Sequence, residues 1–161
     1  MIRPGCERDL PPLLALSKAL RDESETFRAI SIDPAKLTGV LRRAIDPADD
    51  RACVFVCETS GKLRGAVLAV TSEYFFSRER FAADLFLYVE PASRRGLMGG
   101  VIARRLWESY RDWAIARGVR DVRNGVSTGI AIDAAHRFFT SLGMRHLGGL
   151  YTLAIETKAK P

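Results

Sequence analysis

The chain has 161 residues, of which 47% are hydrophobic and 27% are charged, and its net charge is +6 at pH 7. This length and composition are typical of one globular enzyme or binding domain and exclude two ordinary domains. No apolar run approaches the roughly 20 residues that cross a bilayer, and residues 1–5 lack the apolar core of a signal peptide, so we expect a cytoplasmic protein without a membrane partner.

The first part of the chain predicts a short strand and two helices. Residues 2–3 are the opening strand. Apolar residues spaced three and four apart after Asp9 predict the first helix, which Asp9 or a neighbour can cap. Asp33 followed by Pro34 predicts the start of the second helix, and residues 47–50 end it.

The middle of the chain predicts three strands. Residues 52–58 and 63–72 are rich in Val, Leu and Ala, and the Ser-Gly-Lys of residues 60–62 between them is typical of a hairpin turn. Residues 73–80 form a polar and aromatic loop, of a kind that often lines a binding site. Residues 81–89 are the third long strand.

The last part of the chain alternates helices with strands. A helix is predicted over residues 100–117 and a strand over 121–126. A further helix is predicted over residues 132–142, and the final strands over 144–147 and 150–155.

This element order is mixed, which excludes a doubly wound sheet and a barrel of regular βα units. We expect an α/β (α+β) fold, with a mostly antiparallel central sheet of about seven strands flanked by about four helices. Residues 1–157 are predicted to form one domain, and residues 158–161 a short frayed tail.

Cysteine, histidine and charge patterns indicate no further partner. Cys6, Cys53 and Cys57 contain no Cys-x-x-Cys pair, and Cys53 and Cys57 are predicted to be buried thiols of one strand. The two histidines lie far from any acidic cluster, so no metal site is expected. Because the positive charge is spread along the chain, it favours a solvated arginine-rich surface over nucleic-acid binding.

The turn between the strand ending at Val89 and the helix beginning at Gly100 is the most informative stretch. It directs backbone N–H groups and the positive end of a helix dipole at one place, which is how proteins hold phosphate groups. Arg94 and Arg95 add two positive charges there. The turn therefore predicts a phosphorylated cofactor. The alternative is a tight strand-to-helix turn with solvated arginines.

Four short segments carry a resemblance to a known family. They are residues 87–91 (Leu-Tyr-Val-Glu-Pro), 95–100 (Arg-Gly-Leu-Met-Gly-Gly), 126–129 (Val-Ser-Thr-Gly) and 138–144 (Phe-Phe-Thr-Ser-Leu-Gly-Met). In this order, on these elements, they resemble the GCN5-related N-acetyltransferase (GNAT) superfamily. The Arg-Gly-x-x-x-Gly spacing is similar to that of its phage-type subset.

The resemblance implies an N-acetyltransferase that moves an acetyl group from acetyl-CoA to a primary amine. The acceptor is a small-molecule or protein amine, attack is direct in a ternary complex, no metal is used, and a homodimer stays open. In the family a splayed strand edge and the glycine turn hold the cosubstrate, so the implied binding residues are Leu87, Tyr88, Val89, Arg94, Arg95, Gly96, Leu97, Met98, Gly99 and Gly100. The side chains of Leu87, Tyr88 and Val89 are alternatively only core.

Asp84 is the sharpest candidate for a catalytic group. Aspartate is unfavourable within a strand, yet Asp84 lies among apolar residues. A carboxylate partly removed from water has a raised pKa and can act as a general base near neutral pH. The position also matches the general base of histone-type family members. The alternative is an aspartate paired with Arg78 or Arg80.

Other polar residues are weaker candidates for the site. Ser127 and Thr128 follow a strand and would contact the cosubstrate or carry a water, or else cap the next helix. Glu73 and Tyr74 would line the acceptor pocket. Tyr151 is a candidate for the acid that protonates the leaving thiolate.

Two departures from the family pattern leave other functions open. Met98 replaces the middle glycine of the turn, and Phe139 replaces the tyrosine that protonates the thiolate in many members. A non-catalytic CoA-binding module is therefore one alternative. An RNA- or protein-directed acetyltransferase is another, because the net charge is +6. No cysteine lies in the turn region, which argues against a covalent acyl-enzyme.

Overall fold

A computed structural model describes residues 1–95, 98–153 and 155. The chain divides into two compact units, Met1–Ile130 and Ala131–Pro161. In the described residues, no helix combines the length and the apolar character that crossing a bilayer requires.

The first unit contains one five-stranded sheet in the order β1-β2-β3-β4-β5. All neighbouring strands are antiparallel except β4 and β5, which are parallel. This arrangement confirms the predicted mixed, mostly antiparallel class, with fewer strands than the sequence predicts. The strands are β1 (Ile2–Pro4), β2 (Ala52–Thr59), β3 (Lys62–Glu73), β4 (Arg80–Val89) and β5 (Asp121–Arg123).

Helices cover both faces of this sheet. Alternate residues of β2 and β3, such as Val56 and Leu68, pack against α1 and α2 in the main core, while α3 contacts the strands from the other side, where Leu106 packs close to Gly65. Helix α2 begins at Pro34 as predicted, and the Asp33 side chain caps it by accepting the N–H of Lys36 (3.0 Å). The helices are α1 (Leu10–Glu23), α2 (Pro34–Ile45), α3 (Met98–Ala116) and, in the second unit, α4 (Ile132–Ser141).

The predicted strands at residues 144–147 and 150–155 are wrong for the part of the chain that the structure describes. Residues 144–153 and 155 adopt no regular secondary structure, and Ala154 lies outside the described residues. An alternating apolar pattern becomes a strand only where a neighbouring edge supplies backbone partners. Here the apolar side chains are exposed, with Leu150 at 80% and Leu153 at 82%.

A β-bulge in β4 turns Asp84 towards α3. Leu68 pairs with Phe86 and Ala69 with Asp84, so Leu85 is an extra residue between the two pairs. Successive side chains of a strand alternate between the two faces of the sheet. One inserted residue therefore moves each side chain that precedes it in the strand to the opposite face. Asp84 therefore lies on the face covered by α3, instead of the core face that Phe86 shares with α1 and α2.

Candidate active site

Strands β4 and β5 separate shortly after they begin. Their pairing runs from Phe81↔Asp121 to Ala83↔Arg123. In the described part of the chain, the edge of β4 facing away from β3 has no strand partner after Ala83. The predicted strand over residues 121–126 is accordingly shorter, because the Gly125 N–H bonds to the Asp84 side chain instead of to a backbone carbonyl.

The open edge of β4 carries backbone N–H groups. The Glu90 N–H donates to the Arg64 carbonyl (2.8 Å), which makes these residues a hydrogen-bonded pair of the ladder. Such pairs alternate along an antiparallel ladder. The N–H groups of Leu87 and Val89 therefore face away from β3, towards the gap between β4 and β5.

Asp84 lies at the start of this gap and is half-buried. Its Oδ1 accepts the Gly125 N–H (3.0 Å). Burial raises the pKa of the Asp84 carboxyl, which the Gly125 N–H and the Asn124 amide partly offset. Within the described residues, Asp84 forms no ion pair with Arg78 or Arg80, and Arg80 instead donates to the Arg117 carbonyl (3.1 Å) and faces Asp50 (3.6 Å).

Two residues beside Asp84, Asn124 and Tyr110, are absent from the site that the sequence predicts. The Trp107 indole N–H donates to Asn124 Oδ1 (2.9 Å). The Tyr110 hydroxyl donates to the Arg123 carbonyl (3.1 Å), and its ring is fully buried. Burial first, and then the nearby Asp84 charge, raise the pKa of Tyr110. The helical spacing of Tyr110 predicts a core residue. No local signal in the sequence connects Asn124 to Asp84.

Arg94 is held by protein groups. Its Nε donates to the Val89 carbonyl (2.6 Å), and its terminal nitrogens bond to the Glu23 carboxylate, one of them at 2.9 Å. Its guanidinium also lies over the Tyr88 ring, 4.8 Å from the centroid. The Tyr88 hydroxyl donates to the same carboxylate (2.9 Å), and burial followed by this bond raises the pKa of Tyr88 to about 12. Arg94 thus links the turn to α1.

The glycines of the turn differ in what surrounds them. A Cβ on Gly99 would lie 2.6 Å from the Arg94 Cα, so close packing of α3 on the turn requires a glycine there. A Cβ on Gly100 would meet nothing within 4 Å. Arg95 and Met98 are exposed. Gly96 and Leu97 lie outside the described residues.

No protein-family model matches the sequence, and no curated protein matches it. Solved structures match nearly the whole chain. AAC(6')-Iy in complex with a bisubstrate analogue, CoA-S-monomethyl-acetylneamine, is 15% identical, with 98% of each chain covered and a TM-score of 0.72. An aminoglycoside acetyltransferase, meta-AAC0020, from an uncultured soil metagenomic sample is 19% identical over 98% of this chain and 96% of that one, with a TM-score of 0.69. Ribosomal-protein-alanine N-acetyltransferase from Brucella melitensis biovar Abortus 2308 is 15% identical over 96% of this chain and 99% of that one, with a TM-score of 0.65.

The three matching proteins are acetyltransferases, and the match extends over both units of the chain. The chain has the GNAT fold. At these identities the likeness concerns the fold, and the chemistry depends on the residues described above.

The remaining candidates lie on other parts of this GNAT fold. Ser127 and Thr128 do not cap α4, whose N-cap is Ala131. The Thr128 hydroxyl accepts the Ile130 N–H (3.3 Å), and its carbonyl accepts the hydroxyl of the buried Ser24 (2.5 Å). Tyr151 belongs to the second unit and is exposed.

Glu73 is the last residue of β3 and Tyr74 follows it, beside the start of β4 and far from the turn. They line a surface cavity of about 400 Å³. The Tyr74 hydroxyl donates to Asp121, a bond that raises the pKa of Tyr74, and Arg123 covers the Tyr74 ring (4.9 Å). A strand rises about 3.3 Å per residue, so this cavity and Val89 are separated by most of the length of β4.

Proposed function

We propose that the chain is a GNAT acetyltransferase that moves an acetyl group from acetyl-CoA to a primary amine. The observation that carries the proposal is the position of Asp84, a carboxyl with a raised pKa at the closed end of a gap, along whose edge the N–H groups of Leu87 and Val89 face away from β3. A base and an oxyanion-binding edge in one gap are the groups that amide formation from a thioester requires.

Cosubstrate binding is assigned to the turn and the open edge of β4. The first N–H groups of α3 carry the positive end of the helix dipole and suit a pyrophosphate. The open space at Gly100 lets phosphate approach the backbone, and the exposed Arg95 adds a positive charge beside it. Arg94 contributes by holding the turn in place, because its nitrogens already bond to Val89 and Glu23.

The proposed reaction is direct attack in a ternary complex. Because the implied oxyanion donor lies several residues along β4 from Asp84, Asp84 accepts the proton of the acceptor amine through water, and the free amine attacks the thioester carbonyl. The Val89 N–H is the oxyanion donor that the resemblance implies, and the Leu87 N–H shares the same edge about 10 Å from Asp84. The C–S bond then breaks, the thiolate leaves, and the nitrogen loses its remaining extra proton to water as the amide forms. Departure without an acid is feasible because the pKa of the CoA thiol is near the ~8.5 of a free thiol.

A small-molecule amine is the proposed acceptor. The similar meta-AAC0020 is an aminoglycoside acetyltransferase by name, and the similar AAC(6')-Iy is in complex with the bisubstrate analogue CoA-S-monomethyl-acetylneamine. The protein-directed alternative has support from the similar ribosomal-protein-alanine N-acetyltransferase. Phe139 favours a second function, a module that binds CoA without turnover, because phenylalanine has no proton to give to a thiolate.

Acetyl-CoA is expected to raise the melting temperature of the chain. A ligand that binds only the folded state adds about 2.7 kcal/mol to the free energy of unfolding at a concentration of 100 Kd. For a domain of this size, this corresponds to a rise of several degrees in Tm. Differential scanning fluorimetry with acetyl-CoA, CoA and ATP at millimolar concentration measures this effect. ATP is the control for unspecific binding of phosphate. Equal shifts with ATP and acetyl-CoA, or none with either, would contradict the assignment of the cosubstrate.

A further inference from the structure

Asn124 is placed between α3 and Asp84 by two different contacts. It follows β5 directly, next to Gly125, whose N–H bonds to Asp84. Its Oδ1 accepts the indole N–H of Trp107 (2.9 Å), and Trp107 is only 6% exposed. An indole nitrogen is a donor only. The contact therefore determines which end of the amide faces α3 and leaves Nδ2 on the other side.

The Nδ2 atom of Asn124 is a buried donor. It makes no hydrogen bond within the described residues. The side chain nevertheless lies near enough to Asp84 to lower the pKa of that carboxyl. Buried amide nitrogens are almost always paired, and a carboxylate accepts several N–H bonds. Asp84 is the acceptor that this geometry offers.

Among the residues that the structure describes, the other ionisable groups around Asp84 provide no cation for it. On α3, Tyr110 gives its proton to the Arg123 carbonyl (3.1 Å). On β2, Cys53 is a buried thiol whose pKa burial raises to about 12. On β5, Asp121 is bonded to Tyr74 and Arg123. Opposite Asp84 on β3 is Ala69, which is apolar. An ionised Asp84 thus depends on N–H donors.

We propose that Asn124 is a positioning residue, which donates its Trp107-oriented amide to the Asp84 carboxylate and turns it towards the gap between β4 and β5. The Gly125 N–H alone holds one oxygen of Asp84. A second donor from Asn124 fixes the plane of the carboxylate, so that one lone pair stays directed into the gap between β4 and β5. The inference depends on the proposed function for its catalytic meaning, but the contact itself can be tested without any substrate.

The test is a titration of the Asp84 carboxyl in the full chain by carbon-detected NMR, with Asp84→Asn to assign the signal. Asn124→Leu keeps the approximate size and removes the donor. Losing a donor to the charged form disfavours ionisation, so we expect the titration midpoint of Asp84 to move to higher pH. Trp107→Phe leaves the Asn124 amide free to turn, and we expect this variant to move the titration midpoint of Asp84 in the same direction. Trp113→Phe, which removes another buried indole of α3, is the matched control and is expected to leave the midpoint unchanged.

Activity gives a second readout that separates positioning from general damage. If the chain transfers acetyl to an amine of the panel used below, Asn124→Leu is expected to lower kcat by about 10- to 100-fold and to leave KM for acetyl-CoA unchanged. An unmoved midpoint in both Asn124→Leu and Trp107→Phe overturns the inference, as does a rise in amine KM with an unmoved midpoint. A moved midpoint in a chain without any transferase activity supports the contact and refutes the proposed function instead.

Discussion

Replacing Asp84 with asparagine is expected to lower kcat/KM for the amine by about 10²–10⁴-fold at neutral pH, the usual loss when a general base is removed. The loss should be largest at low pH, where the amine is protonated. It should shrink towards pH ~10, where an amine such as lysine loses its proton without help. Acetyl-CoA affinity should be unchanged, because Asp84 does not belong to the turn. Steady-state kinetics across pH measure the effect, and full activity in the variant would mean that another group takes the proton.

The same substitution is expected to stabilise the protein at neutral pH. Burial raises the pKa of Asp84 in the folded state above its unfolded value. The folded state therefore binds this proton more tightly, and the free energy of unfolding falls as pH rises from the unfolded pKa through the folded pKa. Asparagine cannot ionise, so its Tm advantage should be present at pH 7 and absent below about pH 4.

Asp9→Asn is the matched control, since it changes a buried carboxyl whose pKa is lowered by folding instead of raised. The Arg3 guanidinium holds the pKa of Asp9 at about 2, against the effect of burial. A lowered pKa gives stability that is present above the unfolded pKa and lost as pH falls towards the folded one. Asp9→Asn should therefore lower Tm at pH 7. A loss of Tm in both variants would indicate that Asp84 is a structural carboxyl.

Replacing Gly100 with valine is expected to remove the thermal shift by acetyl-CoA while the free protein melts near its usual temperature. A Cβ at residue 100 meets no protein atom within 4 Å, so the folded chain has room for the side chain. Glycine is also a poorer helix former than valine by a few tenths of a kcal/mol. The added methyl groups would occupy the space through which phosphate approaches the backbone.

Two neighbouring variants make this result specific. Gly100→Ala adds one methyl group and should keep part of the acetyl-CoA shift. Gly99→Ala places its Cβ against the Arg94 backbone and should lower Tm without any ligand. Calorimetric titration with acetyl-CoA measures the affinities, and an unchanged Kd in Gly100→Val would show that the cosubstrate binds elsewhere.

Local sequence signals predicted the elements that build the gap. The hairpin turn at Ser60 and Gly61 is formed, with positive φ at both residues. The apolar run before Val89 forms β4, and α2 begins at Pro34 as predicted. Asp84 is identifiable from the sequence because a lone carboxylate in an apolar strand breaks the local pattern.

Local sequence patterns could not predict the contacts between distant segments. Leu85 is an extra residue because of how β4 pairs with β3. The sequence of β4 alone therefore cannot show which face of the sheet carries Asp84. Asn124 meets Asp84 because a parallel strand pair aligns segments that α3 separates in the chain. Arg94 fits a phosphate ligand by spacing, but Glu23 on α1 bonds to it in the fold.

Release of free thiol from acetyl-CoA over a panel of primary amines tests the transferase proposal most directly. The panel contains polyamines, aminoglycosides, amino acids and peptides with a free N-terminus. We expect at least one amine to raise thiol release well above the rate without acceptor, with one acetylated product per thiol and almost none from Asp84→Asn. Thermal stabilisation by acetyl-CoA without amine-dependent thiol release from any acceptor would contradict the transferase and identify a CoA-binding module.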